Sequence, residues 1–412
     1  MEDTQLYAML LGITYPWRVS KVQVDLESQR VDVWIEEGAG TKFLCAVCRQ
    51  EAAVYDHTED QVWRHLDTCQ CQTFVHARLP RTKCLADGVK QIVAPWAEAR
   101  SQFTRLFEAR LIDTLKECDV TGVTRLSGTS WDETWGVMQR AVTRGLARKQ
   151  KRVPTRMGVD EKSVGKGHNY ESIVCDLDRG VVEYVVDDGE QKSLESYYRQ
   201  FTREELSQIR AIAMDMWDPY IAATKAYVPD ADQKIVFDRY HAMTQVTKAV
   251  DTVRRSEHKV LSARGDLRLK GTKHLWLWNE DNVPEWRREE FAGVKNAELK
   301  TSRAWAIKEA IREFWTYRYA KCAGKYFKAW YFWATHSRLS PIIAAAKTLK
   351  RHLGNLLTYC KHRITNATAE GINSKIQMIK LMACGYRNRE HYKTAIYFHC
   401  GGLDLYPRTE TA

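Results

Sequence analysis

The sequence predicts an α/β protein with a catalytic core behind two smaller modules, and three observations carry that prediction. Strand and helix signals alternate between residues 157 and 245. A paired-cysteine segment lies among period-2 strands in the first hundred residues. A cation-rich, tryptophan-rich stretch of helical composition separates the alternating region from a last amphipathic helix. At 412 residues the chain has room for roughly two to four domains.

Bulk properties narrow the partner. The formal charge of +11 favours a polyanion, because such a field draws phosphates. Hydrophobic content of 44% excludes global disorder, and no apolar run approaches the roughly 18 to 20 residues that span a bilayer. The acidic start Met1-Glu2-Asp3-Thr4 lacks the layout of a secretory signal. A soluble intracellular protein with no membrane partner is expected. The eleven cysteines are scattered and odd in number, which fits metal binding better than cross-linking.

Residues 1–100 read as a β and zinc-binding module. Val22-Gln23-Val24-Asp25-Leu26 and Val31-Asp32-Val33-Trp34-Ile35 alternate apolar and polar residues, the period of half-exposed strands. Cys45-Ala46-Val47-Cys48 sets two thiols on a turn, residues 72–79 are strand-like, and Cys84-Leu85-Ala86-Asp87-Gly88 makes a second turn. Two knuckles around a hairpin suit tetrahedral zinc, with Cys45, Cys48 and Cys84 as ligands. The fourth ligand stays open among Asp87, Cys69, Cys71, His65 and His76. A buried, metal-free cysteine set is the competing reading.

Residues 101–156 read as a helix-turn-helix and basic linker. Helix-favouring composition runs from 105 to 148, with breaks expected at Gly122 and at Ser127-Gly128-Thr129-Ser130. Thr129 or Ser130 can cap the helix that begins at Trp131. Residues 140–156 hold seven Arg or Lys and no acid. The helix after Ser130 is expected to read sequence, and Arg148, Lys149, Lys151 and Arg152 to grip phosphates.

Residues 157–245 carry the first part of the core: strands at 157–160, 170–176 and 181–186, a helix from about 193, a strand at 209–214, another helix, and a strand at 235–237. Two hairpin-connected strands after the first, then helix-strand-helix-strand, match the RNase H-like order. Residues 246–355 read as an all-α insertion. Between 254 and 351 there are 22 Lys or Arg against 10 Asp or Glu, with seven tryptophans, most of which are expected in its core. Lys321, Lys325 and Lys328 are its expected DNA contacts. Residues 356–412 read as the final core helices.

The chemistry is expected from three acids. Asp160 closes the apolar run Met157-Gly158-Val159 and Asp215 closes 209–214, and an acid ending a buried strand is costly without a partner. Glu370 sits on a helix where Asn373 and Gln377 share its face and Ile372, Ile376 and Ile379 share another. The polar face can meet metal and DNA while the apolar face packs on the sheet, and Thr365 or Asn366 supplies a cap. Converging carboxylates repel unless cations neutralise them, and two divalent ions about 3.5 to 4 Å apart serve an in-line phosphodiester displacement. Mg²⁺ or Mn²⁺ and a nucleic-acid substrate follow. The bland alternative is two ordinary strand ends and a solvated helix with a chance Glu. His241 reads as a structural residue or as a contact to a scissile phosphate.

Several of these segments together resemble a bacterial insertion-sequence transposase of the ISL3 family: Cys45-x-x-Cys48 with Cys84, the helix of residues 131–142, Gly158-Val159-Asp160-Glu161, then Lys166-Gly167-His168. To these add the Asp215 strand, Phe237-Asp238-Arg239-Tyr240-His241, Ala369-Glu370-Gly371-x-Asn373-Ser374-Lys375-Ile376, and Gly385-Tyr386-Arg387-Asn388. The resemblance implies an RNase H-like domain with a DDE triad at Asp160, Asp215 and Glu370, and DNA contacts from Asn373 and Lys375. It also implies a zinc-binding module and a helix-turn-helix for the element's terminal inverted repeats. A homodimer on paired ends, double-stranded target DNA and a bacterial, nucleoid-associated location would follow. The family commonly shows His where this chain has Asp87. Two other readings are a catalytically inactive, transposase-derived DNA-binding regulator and a nuclease without strand transfer; the latter is told apart by whether a DNA 3′-hydroxyl can act as nucleophile.

Overall fold

The computed structural model describes residues 2–163, 170–187, 191–364 and 367–408. The cap expected from Thr365 or Asn366 and the segment Lys166-Gly167-His168 lie outside these residues. The chain divides into two compact units, one formed by Met1–Lys149 with Tyr397–Ala412 and the other by Gln150–Ile396. No helix among the described residues is long and apolar enough to cross a membrane.

The first unit begins with α1 (Asp3–Leu11), a helix the sequence reading did not anticipate, closed by Gly12 in the left-handed region at φ 62°. Strands β1 (Trp17–Asp25), β2 (Arg30–Glu37), β3 (Lys42–Leu44), β4 (Glu51–His57), β5 (Gln61–Thr68), β6 (Cys71–Ala77), β7 (Pro80–Cys84) and β8 (Gly88–Gln91) follow. They form two four-stranded sheets, β1-β2-β6-β5 and β3-β4-β7-β8. Alternation in β2 buries Val31, Val33 and Ile35, as its period predicts. Trp96 meets Trp17 and Trp63 edge to face at 5.1 and 5.5 Å, closing the core above α1.

Three helices complete this unit: α2 (Arg105–Glu117), α3 (Val120–Ser127) and α4 (Trp131–Arg148). Ser130 and Glu133 form a reciprocal capping box on α4. The expected break at Gly122 is corrected. The chain turns at Cys118-Asp119, and the Asp119 side chain accepts the Gly122 amide at 3.0 Å to start α3. A Cβ at 122 would meet that carboxylate at 2.9 Å, so the glycine serves the cap. The C-terminal tail packs on α4, where a Cβ at Gly145 would meet Leu403 at 2.7 Å.

In the second unit, β9 (Arg156–Ser163), β10 (Tyr170–Asp176), β11 (Val181–Asp187), β12 (Ala211–Met214) and β13 (Ile235–Phe237) form one sheet in the order β11-β10-β9-β12-β13. The first three pair antiparallel; β9, β12 and β13 run parallel. Helices α5 (Gln191–Tyr198), α6 (Arg203–Ser207), α7 (Asp218–Tyr227) and α8 (Ala231–Lys234) make the crossovers. Parallel neighbours need such crossovers, and their shared C-terminal ends become one edge where side chains can meet.

Beyond β13 the described residues are helical: α9 (Arg239–Ser262), α10 (Lys273–Leu277), α11 (Arg288–Lys295), α12 (Lys300–Ile311), α13 (Ala320–Thr335), α14 (Ser340–Arg351), α15 (Leu353–His362), α16 (Ala367–Met382) and α17 (Arg389–Cys400), with short 3-10 turns between. One apolar core runs from the sheet through α15. Trp276, Trp305, Trp315 and Trp330 are buried in it, whereas Trp286 and Trp333 are exposed. On α16, Ile372, Ile376 and Ile379 are buried and Glu370 and Gln377 exposed, the two faces the periodicity predicts.

Candidate active site and metal centre

Strand register sets the first site. Ala213 of β12 pairs with Gly158 of β9 and Met214 pairs with Phe237 of β13. Carrying that register forward puts Asp160, Asp215 and Asp238 level on three adjacent strands. Asp215 and Asp238 follow the ends of β12 and β13, but the expectation that Asp160 ends its strand is corrected, because β9 runs on to Ser163 and Asp160 pairs with Ile173 of β10 inside it. Asp160 and Asp215 line a cavity of about 110 Å³ with Glu161, Trp217 and Tyr220. Backbone amides hold both acids in place: Glu161 N–H donates to Asp160 at 2.8 Å and Met216 N–H to Asp215 at 2.6 Å.

Glu370 approaches from α16. It shares a groove of about 720 Å³ with Asp160, Asp238, His241 and Asn373. The Asn373 side-chain amide donates to Asp160, which ties α16 to β9 one turn after Glu370. Glu370 itself is exposed. Among the described residues, the one set of three or more potential ligands with mutual distances within 4.8 Å lies elsewhere, so the three acids are neighbours without forming a closed cage. Their hard oxygen donors fit Mg²⁺ or Mn²⁺ rather than a softer metal.

Two groups the sequence reading underweighted belong here. Asp238 is buried, caps α9 by accepting the Tyr240 amide at 3.1 Å, and accepts His241 Nδ1–H at 2.9 Å. That bond, with the charges of Asp215 and Asp160 prevailing over burial, holds the imidazole pKa above its ordinary value. Burial raises the Glu161 carboxyl despite a hydrogen bond from Tyr220, and the charges of Asp160 and Asp215 add to the rise. A strand-end Asp followed three residues later by His was the signal available for the first pair.

The second site is the closed set Cys45, Cys48, Cys84 and Asp87, whose ligand atoms all lie within 4.8 Å of one another. Cys45 Sγ is 3.4 Å from Asp87 Oδ2, Cys84 Sγ 3.6 Å from the same oxygen, and Cys48 and Cys84 sulfurs are 3.4 Å apart. Although the Gln50 amide favours its thiolate, hydrogen bonds with Asp87 and Cys84 push the Cys48 thiol up to about 12. Crowded anionic donors of this kind are what a tetrahedral zinc site offers. Asp87 is the fourth member of the set. His65 is engaged with Thr104 at 2.8 Å and His76 with Asp32 at 2.6 Å, and Cys69 and Cys71 are outside the set.

The expected DNA contacts are distributed differently from one another. Lys321, Lys325 and Lys328 are exposed on α13, and Lys375 is exposed on α16. Arg148 donates to the Tyr406 carbonyl at 2.7 Å and pairs with Asp404 at 3.3 Å. Arg152 pairs with buried Asp176, and Lys151 lies 5.0 Å over the Phe201 ring. Further up α4, Arg140 and Arg144 both reach buried Glu108, at 2.9 and 3.1 Å. The basic run is thus largely spent on intramolecular pairing.

Comparison with known proteins agrees with this layout. Residues 157–396 match a transposase family model of the ISL3 DDE type. Residues 94–142 match the helix-turn-helix domain of transposase family ISL3, and 41–87 the zinc-finger of transposases IS204, IS1001, IS1096 and IS1165. The transposase for insertion sequence element IS1557 of Mycobacterium tuberculosis is 24% identical over 421 residues, covering 94% of this chain and 93% of the relative. The transposase for insertion sequence element IS1001 of Bordetella parapertussis is 23% identical over 354 residues, covering 85% and 86%.

Proposed function

Since this chain belongs to the ISL3 family of transposases, with zinc-ribbon and helix-turn-helix domains ahead of a DDE domain, we propose that it cuts DNA at the ends of an insertion sequence and joins those ends to target DNA. The β9–β13 sheet acts as an RNase H-like core, residues 246–355 as its all-α insertion, and Asp160, Asp215 and Glu370 as the catalytic acids. The observation that carries the reading is the level placement of Asp160 and Asp215 on adjacent parallel strands, with the Glu370 helix tied to Asp160 through Asn373.

Asp160, Asp215 and Glu370 would hold the divalent ions, which when bound activate the attacking oxygen and neutralise charge on the phosphate. The chain's own residues do the rest. Backbone amides fix the Asp160 and Asp215 carboxylates before substrate arrives. His241, steered by Asp238, presents its imidazole toward the groove that Asp160 and Glu370 line. The helix-turn-helix reads the terminal inverted repeats, and a homodimer pairs the two ends.

The test uses a duplex in which the element's own terminal repeat is followed by flanking DNA. Wild type should nick it in Mg²⁺ at the repeat–flank junction, and the freed 3′-hydroxyl should attack a phosphodiester of a second duplex, joining the repeat's 3′ end to it and releasing a target 3′-hydroxyl. Asp160→Asn, Asp215→Asn and Glu370→Gln should each lose both steps while keeping repeat binding. Near-wild-type cleavage by any of the three removes that residue from the catalytic set.

A further inference from the structure

Beside the acids a second groove, of about 960 Å³, runs along one face of α9. It shares Asp238 and Glu370 at one end, and its far end is marked by Arg255. The span from Tyr240 to Arg255 is fifteen helical residues, about 22 Å at 1.5 Å per residue. Its opposite wall is α10 with Trp278 and the turn that follows.

Cations line this groove along its length, and Arg239, exposed and without an acid partner among the described residues, stands beside the acids. Its acids other than Asp251 are Asp238 and Glu370, both at the catalytic end, and Asp251 is already paired with Arg254 at 2.7 Å and Arg255 at 3.3 Å. Arg312 is matched by Asp281 and Glu309. Lys248 and Lys273 are exposed into the groove and have no acid partner among the described residues. Two uncompensated cations therefore sit downstream of the acids, one on each wall.

Aromatic faces occur at the same place. Tyr240 is 65% exposed beside the acids, and Trp278 is partly exposed on the far wall. The Trp278 carbonyl is also anchored. The fully buried Lys308 reaches the carbonyls of Trp276, Leu277 and Trp278, the last at 2.6 Å, and Trp305 Nε1 donates to the Trp278 carbonyl at 3.4 Å. Burying a lysine is costly, and here its ammonium satisfies the orphan carbonyls at the end of α10. The result is an anchored Trp278 backbone on the groove wall, whose indole lies 6.0 Å from the His274 ring.

We propose that this groove holds a short unpaired DNA strand, a few nucleotides adjoining the scissile phosphate, with its phosphates on Lys248 and Lys273 and its bases against Tyr240 and Trp278. The proposal rests on the transposase reading for its substrate and adds that the end is opened for cutting. A cavity of this volume is at the upper end of small-ligand sites and too small to enclose a paired duplex. Stacking on aromatic side chains needs exposed base faces, which pairing hides, whereas cations spaced along a groove suit a single-stranded backbone.

The experiment compares terminal-repeat duplexes whose flanking nucleotides are paired, mismatched, or replaced by a single-stranded tail. Wild type should bind the tailed duplex at least about tenfold more tightly than the blunt one. Lys248→Glu with Lys273→Glu should erase that difference, leave blunt-duplex affinity unchanged, and lower the salt slope for the tailed DNA by about 1.4, two phosphates at 0.7 each. A photocrosslinker at position 278 should label tail nucleotides. The double variant should cut paired ends poorly and recover on mismatched ends. Equal loss on tailed and blunt DNA, or crosslinks confined to paired repeat DNA, would overturn the groove assignment. Tail binding and crosslinking are read without Mg²⁺, so a wild type that binds the tail but never cuts would sink the transposase reading and leave the groove standing.

Discussion

Asn373 on α16 donates its side-chain amide to the carboxylate of Asp160 on β9, three residues after the exposed Glu370. The bond joins the helix that carries Glu370 to the first strand of the sheet across most of the second unit's sequence. It also takes up one Asp160 oxygen with a neutral donor, so the acids need not face one another unshielded.

Replacing that donor with an acceptor tests the role. Asn373→Asp sets a further carboxylate against Asp160, and like charges this close destabilise the fold. Melting in EDTA should fall by several degrees relative to wild type, since about 1 kcal/mol shifts a domain of this size by roughly 2 to 4 °C. Added Mg²⁺ should restore part of the loss. A melting temperature unchanged in EDTA would mean that Asn373 and Asp160 do not meet in solution.

The zinc cluster makes a second prediction. Freshly purified protein should carry about one zinc per chain, and chelation should lower the melting of the first unit, because metal binding there is folding energy. Asp87→Ala should release the metal, whereas Asp87→Cys should keep it by completing a four-thiolate set. Metal analysis finding no zinc in the wild type, or full zinc in Asp87→Ala, would contradict a ligand role for Asp87.

Much of this was legible in the sequence because it depends on short-range pattern. The apolar runs ending at Asp160 and Asp215 become strands, the Ile372, Ile376 and Ile379 stripe becomes the buried face, and Cys45, Cys48 and Cys84 sit on two turns. What was hidden depends on pairing across the chain. Asp238 joins the acids only through the register of β12 with β13. The basic run after Arg140 looked like a DNA-tracking linker, yet its arginines are matched by Glu108, Asp176 and carbonyls of the C-terminal tail, partners that no local window contains. The α1 helix lacks a clear apolar stripe, which left it unread.

Arg152 illustrates the difference in outcome. Its guanidinium is half exposed but its partner Asp176 is buried, and Asp176 also accepts the amides of Asp178 and Arg179 at 2.9 and 3.0 Å. Arg152→Ala strands a buried carboxylate and should cost about 1 to 3 kcal/mol, below the figure for a fully buried pair because solvent already screens the arginine. Urea unfolding measures this. If stability is unchanged and only the salt slope of DNA binding falls, Arg152 grips phosphate after all.

Glu171 makes the stability of the second unit depend on pH. It is fully buried on β10, neither carboxylate oxygen has a hydrogen-bond partner among the described residues, and burial raises its pKa to about 7, with Lys393 opposing and Asp187 reinforcing the shift. An acid whose folded pKa is raised binds its proton more tightly folded than unfolded. Its protonated form therefore supports the fold below the unfolded carboxyl range near 4.3, and that support is lost as pH climbs from there through about 7. Glu171→Gln fixes the neutral form. The variant should match wild type at pH 5 or fall slightly below it, and should unfold at a higher temperature than wild type at pH 8.5, where the native carboxylate must be charged while buried and without a hydrogen-bond partner among the described residues. Neighbouring groups must be separated from this effect, since Lys393 also pairs with Asp187 and Glu390 at 2.8 Å. Those pairs are present in both proteins, so the difference between variant and wild type isolates Glu171. A difference in melting temperature that stays constant from pH 5 to 8.5 would show that Glu171 titrates as an ordinary carboxylate.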